Sequence, residues 1–564
     1  MAPDPAPPTR AASPVHPRSV RDRQPAPRAS APPPGRPRWL VAPDVLLVVL
    51  IAVGAVTVAA PRLARSLWRD EAATASAAAR TPDRLADLLG NVDGGLAGYY
   101  WLMHAWQSVA GNGEVALRLP SLVAAGAAVV LAALLARMLA GRVAGVGAAV
   151  AAALDPDLVH VYGGEARPYA LATALVAGAG LAAVAVTRAQ EPRRVRLLLV
   201  LWCDAAGLAV LLHLLAVLAV LPTALWLARS GRLRGVGLVA VVLAPVVAAA
   251  VPALAAVGTP GLQSWIAPVT PGAVYAVTAN VLTRGTVLAG TALALLVMLA
   301  VLARRLPRRS TPGSPAAAVP LRPRPRRADL LVLGLWALGP VLVLAVLSWL
   351  VRPLLISRYV LPSHPAVHVL VGCGAAAAVI LLTSVRGRRA ALATGVAIAV
   401  LGAVAFAGRN IADIRANRPV TEDLRAASER IASDARPGDR LLYAPTWGEA
   451  GLRWYLGENA GQPSPVTDLT ARPGADAGDA GSLWTPTVPA TVPAPRLLHG
   501  VDRVYEVTYP GQSWAPVPDR GAAVAGWLHR CWARGPVLSA SPRVTVWTRS
   551  AAAGARLGCT VPPR

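Results

Sequence analysis

Two adjacent carboxylates, Asp70 and Glu71, stand in Ser66-Leu67-Trp68-Arg69-Asp70-Glu71, directly after the first long apolar segment of the chain, residues 39–60. A carboxylate within hydrogen-bond reach of a hydroxyl can take its proton as a general base. The plain alternative is a solvated helix start, where acids suit the helix dipole. Asp93 falls in the same segment, and further ionisable residues fall in other segments between apolar runs: Asp155, Asp157, Glu165 and Arg167, then Arg352 and Arg358. Ionisable residues near a membrane are costly and tend to be functional, although two acids just outside a span are more often a solvated helix start. If these segments share one side of a membrane, they can converge on one cavity.

The elements that would position them are apolar helices. Of 564 residues, 55% are apolar and 15% charged, too hydrophobic for a soluble globular chain. The formal charge is +26, and every basic residue is arginine. The arginines lie in short clusters between apolar runs, the positive-inside pattern, and not on one face as a nucleic-acid site requires. The Pro/Arg-rich residues 1–38 read as a disordered cytoplasmic tail. Spans are expected at about 39–60, 119–139, 143–158 and 169–187, with two short ones in 197–228 meeting near His213. Others are expected at about 236–257, 285–303, 329–350, 360–383 and 390–407. The fold class is thus an α-helical polytopic membrane protein of about 11 transmembrane helices, N-terminus inside and C-terminus outside, with a small extracytoplasmic α/β C-terminal domain. That arrangement places every short arginine-rich loop inside and the first long loop, 61–117, outside. The transmembrane domain is expected over 39–408.

Within loop 61–117, Thr81-Pro82-Asp83 reads as a helix start, and short surface helices are expected at 82–89 and 96–110. Residues 409–564 have ordinary polarity. Residues 421–433 and 520–533 read as helices, and 440–443, 503–508 and 543–548 as strands. The seven tryptophans of this region read as core, with stacking on sugar rings the alternative. Cys531 and Cys559 are compatible with one disulfide if the region lies outside the cytoplasm, while Cys203 and Cys373 read as small core residues. His104 and His213 read as structural, and Asp204, inside an apolar run, needs a partner.

Four stretches carry a resemblance. They are Trp68-Arg69-Asp70-Glu71; then Asp93 through Tyr99-Tyr100, His104, Trp106 and Glu114 to Arg118-Leu119-Pro120-Ser121; then Glu165-Ala166-Arg167-Pro168-Tyr169-Ala170-Leu171; then Arg358-Tyr359-Val360-Leu361-Pro362. In order and placement the chain resembles the C-type membrane glycosyltransferase superfamily: the protein O-mannosyltransferases and the aminoarabinose transferases of lipid A. It departs from the pattern at Leu96-Ala97, where relatives often carry Pro-Pro before the tyrosines. The resemblance implies transfer of a sugar, mannose or another hexose or pentose, from a polyprenyl-phosphate donor to an acceptor hydroxyl at the outer face of the plasma membrane. It implies inversion at the anomeric carbon, with Asp70 as general base. Glu71 would orient the acceptor, or bind a divalent metal ion as in some relatives. Asp93, Glu165, Arg167, Arg358 and Tyr359 are the implied substrate-binding residues, with Arg358 on the donor phosphate. The acceptor would be a protein, a glycolipid or a cell-wall polysaccharide. The competing class is a multi-span transporter or lipid flippase, which should carry its ionisable residues near the bilayer midplane and show internal repeats. No such repeat is evident in the sequence.

Overall fold

The structure, a computed structural model, describes residues 43–231, 233, 240–241, 244–245, 247–250, 266–283, 325–386, 422–458, 464–478, 480–510, 519–549 and 559. Among the described residues, six helices are long and apolar enough to cross a membrane: Pro43–Ala64, Glu114–Ala140, Tyr169–Arg188, Pro192–Leu212, Arg327–Leu350 and Ser357–Ala377. A bent pair, Arg142–Ala153 with Asp157–Gly164, adds a seventh if counted as one span. The run 197–228 breaks at His213, giving Pro192–Leu212 and the shorter apolar helix Leu214–Arg229. The spans expected at 236–257, 285–303 and 390–407 lie wholly or largely outside the described residues.

In chain order the helices are α1 Pro43–Ala59, α2 Arg69–Ala78, α3 Pro82–Asn91, α4 Ala97–Ala110, α5 Glu114–Ala140, α6 Arg142–Ala153, α7 Tyr169–Arg188, α8 Pro192–Leu212 and α9 Val217–Arg229. They continue with α10 Pro271–Thr283, α11 Arg327–Leu350, α12 His364–Arg386, α13 Leu424–Asp434, α14 Glu449–Arg453, α15 Ala494–Leu497 and α16 Arg520–Cys531. Small residues let α6 and α12 approach closely: a side chain on Gly372 would run into the Ala144 carbonyl and Ala148. Apolar helices in lipid gain by such close approach, because packing rather than water exclusion holds them. Trp202 and Trp336 fill wider gaps, and each indole N–H finds an acceptor, Thr223 Oγ1 at 3.1 Å and the Pro362 carbonyl at 2.8 Å. On α1, Leu46, Leu47, Leu50 and Val53 are exposed, as a lipid-facing stripe would be.

The two ends of the helical layer differ in chemistry. Asp44 begins α1 and pairs with Arg137 at 2.5 Å and Arg142 at 3.5 Å. Arg118, near the opposite end of α5, lies about 30 Å from Arg137 along the helix axis, the thickness of a hydrocarbon core. Asp70 belongs to the Arg118 end.

The C-terminal region forms a five-stranded sheet in the order β2-β1-β3-β5-β4, from β1 Arg440–Tyr443, β2 Thr467–Asp468, β3 Arg503–Thr508, β4 Ala533–Ala540 and β5 Arg543–Thr548. The first three strands in that order are parallel, and β3, β5 and β4 pair antiparallel. Trp447, Trp454, Trp527, Trp532 and Trp547 are buried in the core, Trp484 is half-buried, and Trp514 lies outside the described residues. Cys531 and Cys559 form a disulfide. The sheet does not keep its core to itself. Leu424, Ile431, Tyr443, Trp447 and Trp454 join Leu67, Leu85, Leu88, Tyr99 and Tyr100 in one hydrophobic cluster, so the 67–100 segment and the sheet region are packed as a unit.

Candidate functional site

The first turn of α2 decides which acid meets solvent. Trp68 is its N-cap in extended conformation, so Asp70 and Glu71 occupy successive first-turn positions about 100° apart around the helix. Glu71 turns inward and has no exposed surface. It accepts the Trp68 N–H at 3.3 Å, the Ala166 N–H at 2.7 Å, and a two-pronged contact from Arg118 at 2.7 and 2.5 Å. The other Arg118 N–H groups donate to the carbonyls of Leu63, Arg65 and Ser66 at 2.9, 2.6 and 2.9 Å. One buried guanidinium therefore ties the exit of α1, the start of α2, the start of α5 and the 165–168 segment. Ser121 adds a bond to the Arg167 carbonyl at 3.1 Å.

Asp70 turns outward and keeps 26% of its side-chain surface. Three guanidinium groups surround it. Arg358 Nη1 lies 3.4 Å from Oδ2, Arg167 Nη2 3.9 Å from Oδ2, and Arg69 Nε 4.0 Å from Oδ1. Arg167 also donates to the Asp70 carbonyl at 3.2 Å and to Thr74 Oγ1 at 3.3 Å. Aromatic rings form the wall behind the arginines. The Tyr169 ring centre is 5.9 Å from the Arg167 guanidinium carbon and 6.0 Å from that of Arg358, and Tyr359 is 5.9 Å from the latter. His213 packs edge-on against Tyr169 at 5.4 Å and beside Tyr359 at 5.5 Å. Burial and the two guanidiniums push its pKa down to about 3, so it stands neutral.

Two further acids stand close by. Asp93, in left-handed backbone at φ 54°, ends the turn after α3 and accepts the Tyr100 hydroxyl at 2.8 Å. Burial pushes its carboxyl above the ordinary range, against the pull of Arg167 and that hydrogen bond. Burial, with Glu71 nearby, pushes Glu165 up to about 8, against Arg167 and Arg358. At neutral pH Glu165 is mostly an uncharged acid, so the surroundings of Asp70 are cationic. The structure thus brings Asp70, Arg167 and Arg358 into contact, sets Tyr359, Asp93 and Glu165 around them, and turns Glu71 away.

The C-terminal region holds this segment through its own side chains. Glu422 accepts the Arg69 N–H at 3.0 Å and pairs with its guanidinium at 3.4 Å, while that group stacks 4.4 Å over Trp447. Tyr455 accepts the Leu67 N–H and donates to Glu114, both at 2.8 Å. Arg425 grips Glu114 at 2.5 and 2.9 Å and donates its backbone N–H to Ser66 Oγ at 3.0 Å. These contacts fix where Asp70 sits. Replacing Glu422 by Gln together with Trp447 by Ala is expected to lower turnover about tenfold, the equivalent of losing a part-buried ion pair and a cation–π contact. Comparing kcat in matched detergent preparations checks this, with thermal unfolding confirming an intact helical layer.

A divalent cation does not fit the Asp70–Glu71 pair. Glu71 has both oxygens engaged by Arg118, and Asp70 has three cationic groups within 4.0 Å. A different donor set does exist: Asp155, His364 and His368, all buried, with their ligand atoms within 4.8 Å of one another. His104 bonds the Ala78 carbonyl at 2.9 Å, in line with a structural role. Asp204 is exposed on α8. Sequence reasoning singled out neither Arg118 as a buried anchor nor the histidines. The signal for the latter was His364-x-x-x-His368, two imidazoles one turn apart on a helix.

No protein-family model and no curated protein sequence matches the chain. Solved structures do. ArnT from Cupriavidus metallidurans in the apo state superposes with a TM-score of 0.54 at 16% identity, covering 91% of this chain and 99% of that one. The same protein bound to undecaprenyl phosphate gives 0.53 at 16% identity, covering 90% and 98%. Arabinosyltransferase EmbB from Mycobacterium smegmatis aligns over 62% of this chain and 32% of its own, with a TM-score of 0.37 at 17% identity, too low to argue from. Near-complete mutual coverage at a TM-score above 0.5 shows that the chain has the fold of ArnT.

Proposed function

We propose that this protein is an integral-membrane glycosyltransferase. It moves a hexose or pentose, mannose or an arabinose-type sugar, from a polyprenyl-phosphate donor to an acceptor hydroxyl at the outer face of the plasma membrane. The observation that carries the reading is the part-exposed Asp70 carboxylate flanked by Arg167 and Arg358. In a fold shared with a protein crystallised with undecaprenyl phosphate, that arrangement suits an anionic lipid head beside a base.

In the proposed reaction the donor phosphate takes the guanidiniums of Arg358 and Arg167, whose planar forks match phosphate oxygens. That contact draws them off Asp70 and leaves its carboxylate free to accept a proton. The acceptor hydroxyl attacks the anomeric carbon from the side opposite the phosphate. Its proton passes to Asp70, the bond to the phosphate oxygen breaks with its electron pair, and the configuration inverts. The two arginines hold the charge that develops on the leaving phosphate. Glu71 acts by position: with Arg118 it fixes the turn that presents Asp70. Asp93, Tyr359 and the Tyr169 ring stand near these groups, where a sugar would stack or hydrogen-bond. The disulfide in the sheet region supports an extracytoplasmic placement, because such bonds persist in oxidising compartments. Acceptor hydroxyls of protein, glycolipid or wall polysaccharide all suit this chemistry.

The test is release of free polyprenyl phosphate by purified protein in nanodiscs, given polyprenyl-phosphate mannose or arabinose and a cell-envelope acceptor fraction. Acceptor-dependent release supports the reading. Absence of release with every polyprenyl-phosphate sugar tried overturns it.

Glu165 gives the reading a pH signature. Below about 8 it is protonated and neutral; above, it places a negative charge beside Arg167 and Arg358. Donor KM is therefore expected to rise as pH rises through about 8, and Glu165→Gln should flatten that limb. KM profiles of the two proteins from neutral to alkaline pH check it.

A further inference from the structure

Asp155 sits at the bend after α6, where its two oxygens have separate tasks. Oδ1 accepts the backbone N–H groups of Asp157 at 3.0 Å and Leu158 at 3.2 Å. That hold fixes the carboxylate and leaves Oδ2 facing α12. There it meets His364 Nδ1 at 2.6 Å and His368 Nε2 at 3.0 Å. The two histidines are one helical turn apart, so their rings share a face. All three residues are 5% exposed or less, and Asp157 is buried beside them at 7%. The second nitrogen of each ring, His364 Nε2 and His368 Nδ1, has no partner among the described residues. A buried carboxylate sharing one oxygen between two imidazoles is a costly way to fill a helix interface, where apolar side chains would serve.

We propose that Asp155, His364 and His368 form a structural zinc site separate from Asp70. Two imidazoles and one oriented carboxylate are a zinc donor set, with a fourth position left for water. Ligands at zinc bond lengths stand roughly 3.3 Å apart in a tetrahedron; Oδ2 now lies 2.6 and 3.0 Å from the two nitrogens and the three atoms lie within 4.8 Å of one another, so small shifts of Oδ2 and of the two rings bring them there. Oδ2 can shift by rotating about the anchored Oδ1, the kind of outer support that metal-bound carboxylates receive. Asp157 beside the site offsets the remaining positive charge.

The site's place in the chain gives it a task. Asp155 begins the segment that leads to Arg167, and His364 directly follows the 357–363 turn that carries Arg358. One ion there staples together the two segments whose arginines flank Asp70. The proposal does not depend on which sugar is transferred, or on transfer at all.

The test is metal content. Wild-type protein purified in nanodiscs without chelator is expected to retain about one zinc per chain by elemental analysis. His368→Ala and His364→Ala should lose it, and Asp155→Asn should bind at least tenfold more weakly in zinc titrations. Cobalt loaded in place of zinc should give the visible bands of a tetrahedral nitrogen–oxygen site in the wild type alone. If a histidine variant fails to fold, X-ray absorption at the zinc edge of the wild type decides: two imidazoles in the first shell support the site, and fewer than two overturn it. Folded wild type that neither retains nor takes up zinc overturns the proposal, and so does equal retention by His368→Ala.

Discussion

Asp70→Asn is expected to lower kcat by roughly 10²–10⁴-fold, the usual worth of a positioned general base. Asparagine keeps the size of the side chain and can still meet Arg358, so the turn should not collapse. It cannot hold the acceptor's proton. The direction of the change in KM separates this role from a structural one. Removing the carboxylate leaves Arg69, Arg167 and Arg358 without their shared counter-charge, and an anionic donor then binds as well or better. A fall in kcat with an unchanged or lower donor KM is the signature of a group that acts in the transition state. Were Asp70 only a solvated helix start, its loss would cost about 1 kcal/mol of stability at most and leave turnover alone. Initial rates of polyprenyl phosphate release over a donor series give both parameters. Turnover of the variant within tenfold of wild type would remove Asp70 from the base's role.

What the sequence showed of this site follows from what side-chain patterning encodes. Helices announced themselves through period, and β1, β3 and β5 as short β-prone runs, buried along their middles, that lie where the sequence places them. β4 did not, because Gly535-Pro536 reads as a turn. It is an edge strand whose pairing slips twice, where a proline lacking an N–H is tolerated. β2 is two residues long, too short for any period. The order of loops, hence the meeting of Asp70 with Arg167 and Arg358, was legible from apolar spacing and arginine placement. The division of labour within Asp70-Glu71 was not. Neighbours on a helix start point about 100° apart, and which one faces inward depends on a partner 47 residues later in sequence. Arg118 is that partner, and its burial at the head of an apolar helix gives no sign in a local window. Likewise Glu114 and Arg118, read as motif letters, prove to be joints: Glu114 ties the start of α5 to Arg425 and Tyr455 of the C-terminal region.

That distinction sets the second large effect. Glu71→Gln should destabilise the protein by about 3–5 kcal/mol, because it leaves Arg118 charged and buried without its counter-ion. Arg118→Met should cost more than Glu71→Gln, since Arg118 also satisfies the carbonyls of Leu63, Arg65 and Ser66. Replacing both by apolar residues often rescues a buried pair. Here Glu71→Leu with Arg118→Met should not rescue it, because those three carbonyls and the Ala166 N–H would be left in an apolar interior, each at a cost of about 1–3 kcal/mol. Thermal unfolding of the three variants in one detergent measures this. The expected order is wild type above Glu71→Gln, with the double variant no better than Arg118→Met. A double variant as stable as wild type would mean that the pair is an exchangeable ion pair, and that the turn presenting Asp70 is held by the Glu422, Arg425 and Tyr455 contacts alone.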